Sequence, residues 1–142
     1  MEVISKSPQE TRKIAKQLGR NLKLGDIVAL YGELGAGKTV FIQGLAEGLN
    51  IKGKITSPTF VFEKRYPVII GNRHGIFHHL DLYRGDSIKE LLSLGLEEIF
   101  SGDSIVVLEW ADKIKEELPK KRIDISIEVL DEKSRRISIK RN

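Results

Sequence analysis

The sequence predicts an α/β fold, a mostly parallel sheet flanked by helices with antiparallel hairpin additions, and three observations carry that prediction. A glycine-rich segment, Gly32-Glu33-Leu34-Gly35-Ala36-Gly37-Lys38-Thr39, lies between a short apolar run at 26–31 and a helical pattern with Phe41, Ile42, Leu45 and Leu49 on one face. Ile105-Val106-Val107-Leu108 is an unbroken aliphatic stretch, as expected of a strand covered on both faces inside a parallel sheet. Towards the C-terminus Ile123, Ile125, Ile127 and Val129 alternate with Asp124, Ser126 and Glu128. After a polar turn at 131–134, Ile137 and Ile139 return on one face, which closes an antiparallel hairpin.

Taken in order, residues 1–5 read as a short opening strand. Ser7-Pro8-Gln9-Glu10 supplies the strongest helix start: Ser7 suits the N-cap, Pro8 the first helical position and Glu10 the capping-box position. Ile14, Leu18 and Leu22 follow as the packing face, leaving Arg12, Lys13, Lys16 and Gln17 to water. Lys23-Leu24-Gly25 leads into the strand at 26–31, and a helix at 40–49 follows the glycine-rich segment. In Ile55-Thr56-Ser57-Pro58-Thr59-Phe60, Pro58 forbids regular helix and holds Ser57 extended, so this is a loop. Residues 60–66 and 75–82 read as strands, with 67–74 as their hairpin connection. A short helix at 87–94 stops at Gly95, and 96–100 forms a further turn. The strand at 104–110 is followed by a brief charged helix at 111–118, ended by Pro119. At 142 residues, 1–142 is a single domain by size.

The chemistry concentrates at the glycine-rich segment, which matches G-x-x-x-x-G-K-[ST], the phosphate-binding P-loop, and makes the predicted fold P-loop NTPase-like. Glycines let successive backbone N–H groups point into one concavity, and the following helix adds its unpaired N–H groups and dipole. Gly35, Ala36, Gly37, Lys38, Thr39 and Val40 are the candidate nucleotide-binding residues. Lys38 reaches the β- and γ-phosphates in this arrangement, and the Thr39 hydroxyl ligates Mg²⁺. A carboxylate at the end of the central strand is where a second Mg²⁺ ligand belongs, and here that residue is Glu109 in place of the usual Asp. Asp81 also follows an apolar strand, where a carboxylate can enter the nucleotide site. The hydroxyl-rich loop holding Thr59 suits a γ-phosphate sensor. His78 and His79 project to opposite faces of a strand and so do not form a shared metal site. Trp110 reads as a core or rim aromatic.

Composition limits the alternatives. No apolar run reaches membrane-span length and no signal-peptide pattern opens the chain, so no membrane role is expected. The absence of cysteine excludes disulfides and thiolate metal sites and fits a cytoplasmic protein. The net charge is +4, with basic clusters at Lys120-Lys121-Arg122, Arg135-Arg136 and Lys140-Arg141. These read either as solvated strand ends or as a patch for RNA or an acidic partner. No aromatic residue interleaves them, so base stacking finds no support.

Four segments together resemble the TsaE family (also called YjeE): the P-loop, Thr56-Ser57-Pro58-Thr59-Phe60, His79-Leu80-Asp81-Leu82-Tyr83-Arg84 and Leu108-Glu109-Trp110. Their order and spacing agree over nearly the whole chain. The resemblance implies an ATPase that binds ATP and Mg²⁺ and is needed for the threonylcarbamoyl modification of tRNA. It implies action with the partners TsaD and TsaB, contact with tRNA only through that complex, and hydrolysis that is weak alone. By the same resemblance Thr39 and Glu109 hold Mg²⁺, Thr59 lies in a switch-like loop, and Asp81 is an essential aspartate near the γ-phosphate. Glu10, Thr11 and Arg136 resemble positions that line the adenine. The catalytic group is thus Lys38, Asp81, Thr59 and Glu109. Read without the resemblance, the P-loop also allows a small-molecule kinase or a regulatory ATP-binding module with negligible hydrolysis. A GTPase is disfavoured, because the chain has no Asn-Lys-x-Asp segment.

Overall fold

A computed structural model describes residues 1–33, 35–53, 55, 63–82, 93, 96–100 and 102–142. Among them, seven strands form one mixed sheet: β1 (Glu2–Ser5), β2 (Ile27–Tyr31), β3 (Glu63–Ile70), β4 (Arg73–Asp81), β5 (Ser104–Glu109), β6 (Ile123–Val129) and β7 (Arg135–Arg141). Their spatial order is β1-β7-β6-β2-β5-β4-β3. The four central strands, β6, β2, β5 and β4, run parallel, while β1, β7 and β3 are added antiparallel at the two edges. The predicted architecture is therefore the observed one, including β5 beside the strand that leads into the P-loop.

Burial explains the sequence pattern. On one face Val28, Leu30, Ile105 and Val107 pack with Phe41, Ile42 and Leu45 of helix α2 (Lys38–Gly48). On the other, Ile27, Ala29, Val106 and Leu108 pack with Ile99, Ala111, Ile114 and Leu118. All six residues of β5 are buried, which accounts for its continuous aliphatic run. The Ala111–Glu117 segment is a 3₁₀ helix kinked at Ile114, a tight form favoured in pieces too short to propagate an α-helix.

Helix α1 (Pro8–Arg20) starts at Ser7, whose hydroxyl accepts from the Glu10 N–H at 3.1 Å. Glu10 reaches back to the Lys6 N–H at 2.7 Å, one residue earlier than a capping box requires. Its buried stripe differs from the expected one. Thr11, Ala15 and Gly19 face inward, while Ile14 and Leu18 are only partly buried. Small residues sit there because α1 and α2 approach at backbone distance: a Cβ on Gly44 would collide with the Arg12 carbonyl and the Ala15 side chain.

The β3–β4 connection also differs. Both strands run through the 67–74 segment expected as a loop, meeting at a tight turn at Gly71-Asn72. Pro67 is accommodated because β3 is an edge strand, where a missing ladder donor costs little. The helix expected at 87–94 lies outside the described residues, apart from Ser93. Among the described residues, no helix is long and apolar enough to cross a membrane.

Candidate functional site

The P-loop leaves the end of β2 and turns into α2 at Lys38. Gly35 (φ 79°) and Gly37 (φ 100°) both occupy the left-handed region, which glycine enters without the Cβ penalty. Gly37 caps α2 with no side-chain hydrogen bond, so the first-turn N–H groups are not covered by a cap. Ala36 is fully buried and anchors the loop in the core. Thr39 and Val40 follow in the first turn of α2, both half-buried.

The Lys38 side chain is buried. Its Nζ donates to the Gly32 carbonyl at 2.7 Å and lies 3.6 Å from the centroid of the Trp110 ring. Burial pushes the ammonium below its ordinary value, while the negative charges of Glu109, Asp81 and Asp112 pull the other way. Trp110 itself has left-handed backbone angles (φ 59°, ψ 38°), a genuine departure for a bulky residue. That turn lays its indole face on the ammonium, a cation–π contact. The sequence reading of Trp110 as a core or rim aromatic missed this role, and its position directly after Glu109 was the available signal.

Asp81 and Glu109 end neighbouring parallel strands and are in register with each other, and Glu109 is also in register with Leu30 of β2. Both carboxylates therefore point to the α2 face, beside Lys38. Glu109 is buried, and one of its oxygens, Oε2, is 2.7 Å from His79 Nε2. A carboxylate only accepts, so Nε2 carries the proton, and the buried Nδ1 has no hydrogen-bond partner among the described residues. His79 thus orients the acid. His78 turns to the opposite face, where its ring meets Glu63 at 2.9 Å and Ser104 at 3.2 Å.

A cavity of about 540 Å³ opens beside the P-loop, lined by Ser7, Gln9, Thr11, Gly35, Val40 and Arg135 among others. Thr11, one of the three residues that resemble adenine-lining positions, lines it. Glu10 is not among its lining residues; its carboxylate caps Lys6. Arg136 faces Glu128 and Glu2 and also lies away from this cavity. The arginine that meets the P-loop is its neighbour. Arg135 donates Nε–H to the Ala36 carbonyl at 3.0 Å and Nη2–H to the Gly35 carbonyl at 3.3 Å. Its Nη1 group donates to the Asp131 carbonyl at 2.9 Å, tying the β6–β7 turn to the P-loop. Alternation in β7 decides which of two adjacent arginines faces the cavity, and sequence spacing alone did not reveal the register. Thr59 with its loop, Arg84 and Leu34 lie outside the described residues.

The family model for threonylcarbamoyl adenosine biosynthesis protein TsaE matches residues 5–137. The chain belongs to the TsaE family. Among curated relatives, the tRNA threonylcarbamoyladenosine biosynthesis protein TsaE of Treponema pallidum is 38% identical over 141 residues, covering 98% of this chain and 99% of that protein. The protein of the same name from Bacillus subtilis is 40% identical over 134 residues, covering 93% and 80%. The crystal structure of Bacillus subtilis YdiB superposes with a TM-score of 0.77 at 37% identity, over 98% of this chain and 83% of that one. The mixed sheet around a P-loop is thus a TsaE-family fold, and family membership places the chain in threonylcarbamoyladenosine biosynthesis on tRNA.

Proposed function

We propose that this TsaE-family chain is a P-loop ATPase that binds Mg²⁺-ATP and works with TsaD and TsaB in forming threonylcarbamoyladenosine on tRNA. The observation that carries the nucleotide reading is convergence. A glycine-curled loop lines a cavity large enough for a nucleoside, and the buried lysine that follows it feels two in-register strand-end acids.

In this reading the P-loop N–H groups and the start of α2 bind the phosphates. Lys38 leaves the Gly32 carbonyl for a phosphate oxygen, and Thr11 and Arg135 line the base-side cavity. The donor set suits a small hard cation, because Thr39 and Glu109 offer hydroxyl and carboxylate oxygen. Thr39 and Glu109 would hold Mg²⁺, which when bound neutralises charge building on the phosphates. His79 keeps Glu109 aimed at that position. Asp81, or Thr59 through its hydroxyl, orients the attacking water. The charge-stabilising arginine comes from Arg84 or from a partner, and an incomplete site in the lone subunit accounts for weak solitary turnover.

The test is ATP hydrolysis measured for the chain alone and with TsaD and TsaB. A large partner-dependent rise is the expected result. Fast phosphate transfer to a metabolite would make the chain a kinase. Bound ATP that survives single-turnover conditions with both partners present would make it a regulatory module.

A further inference from the structure

We infer that the end of the sheet opposite the P-loop is a binding surface for the phosphodiester backbone of RNA. β2 and β6 are parallel neighbours, so the residues just before each lie together: Lys23 before β2, and Lys120, Lys121 and Arg122 before β6. β7 runs antiparallel to β6 and ends at the same place, with Arg141 in register with Ile123. Basic residues more than a hundred positions apart thus ring one cavity of about 300 Å³, lined by Lys23, Lys121, Arg122 and Arg141.

Most of this charge is uncommitted. Arg122 is held by Asp124 at 2.9 Å and by the Pro119 carbonyl at 3.0 Å. Lys23, Lys120, Lys121 and Arg141 are exposed and make no side-chain ion pair among the described residues. Asp26 lines the same cavity, so four basic side chains face one acid there. Asp26 accepts from the Lys23 backbone N–H at 2.9 Å, Asp103 pairs with Arg73, and Asp124 accepts from Arg122, Asn142 and Tyr31.

The chemistry favours a polyanion over a folded protein partner. Protein interfaces centre on aromatic or aliphatic anchors. No aromatic residue lines this cavity, and none of the exposed large apolar side chains (Met1, Ile4, Ile69, Ile76, Val129 and Leu130) does so. Flexible ammonium and guanidinium groups without stacking rings read phosphates and not bases. The surface stands a full strand, roughly 17 Å at about 3.3 Å per residue, from the nucleotide site, so the two can be occupied together. This inference does not depend on ATP chemistry.

The experiment measures binding of the full chain to an unmodified tRNA transcript and to a random-sequence RNA of equal length, across a salt series. The expected result is similar affinity for both, falling steeply with salt. Lys121→Glu/Arg141→Glu should lose tenfold or more and flatten the salt slope by about 2. Lys13→Glu/Lys16→Glu, an equal charge change on α1, should stay within about twofold of the parent. Thermal melts and ATP binding should be unchanged in both pairs. Absence of salt-dependent RNA binding would overturn the inference, as would equal losses in the two pairs. It also falls if the Lys121/Arg141 pair loses coupling to TsaD and TsaB while keeping RNA affinity, because the surface then serves a protein.

Discussion

Arg135 and Ala36, separated by 99 residues in sequence, are joined by a 3.0 Å hydrogen bond from the guanidinium Nε to the P-loop carbonyl. Together with the bond to Gly35, this ties two successive carbonyls of the loop to one guanidinium. Charge-assisted bonds of this kind contribute about 1.5–3 kcal/mol when buried, and less at this partly exposed position. Arg135→Ala should therefore weaken ATP binding by about tenfold with little loss of thermal stability, and Arg135→Lys should recover only part of it. Isothermal titration with ATP checks this, and unchanged affinity in Arg135→Ala would remove the arginine from the site.

Trp110 is the only tryptophan in the chain, and its ring lies against the Lys38 ammonium. A ligand that draws Nζ to a phosphate must change the environment of the indole. Nucleotide addition should shift Trp110 emission in the parent and leave Lys38→Met unresponsive. Emission that stays constant at saturating nucleotide would show that the lysine does not move.

Glu109 is buried and held by His79, whereas Asp81 at the end of β4 is half-buried. Glu109→Ala should reduce Mg²⁺-dependent ATP binding more than Asp81→Ala does. Asp81→Ala should act mainly on turnover. His79→Ala, which frees the acid to rotate, should fall between them in Mg²⁺ dependence. The reverse ranking of the two acids would make Asp81 the metal ligand.

Glu63 supplies a pH signature on the sheet face opposite the candidate nucleotide site. Burial alone would raise its carboxyl, but hydrogen bonds from His78 and Arg65 outweigh burial and hold it below the usual value. A depressed carboxyl stabilises the fold fully above its unfolded value near 4.5 and loses that contribution as pH falls through the lower folded value. Glu63→Gln should be less stable than the parent at pH 7, and the gap should narrow towards pH 3. Urea melts at the two values decide it; a gap that persists in acid would assign the loss to packing.

What the sequence disclosed was mostly local. The P-loop, its flanking strand and helix, and the buried β5 were legible because each carries its own spacing and hydrophobic period. The connection expected at 67–74 proved to be mostly strand: β3 runs to Ile70 and β4 starts at Arg73, and only the sheet order shows that β3 is an edge, where Pro67 is tolerated. The stripe of α1 was read in part: Ile14, Leu18 and Leu22 do pack against the core, while the close approach to α2 also buries Thr11, Ala15 and Gly19. The contacts of Lys38 with Trp110, Glu109 with His79 and Arg135 with Ala36 cross between elements. Strand order creates those neighbours, and periodicity does not encode it.

Lys38 sits among three carboxylates whose fields it partly cancels. In the proposed site its removal would take away a phosphate donor and also leave Asp81 and Glu109, side by side at the strand ends, repelling each other and any incoming anion. A dead variant at this position therefore reports two losses in one number. Dissection of the pocket is cleaner when it begins at Thr39, where a neutral side chain can be trimmed while the electrical balance around the two acids is kept.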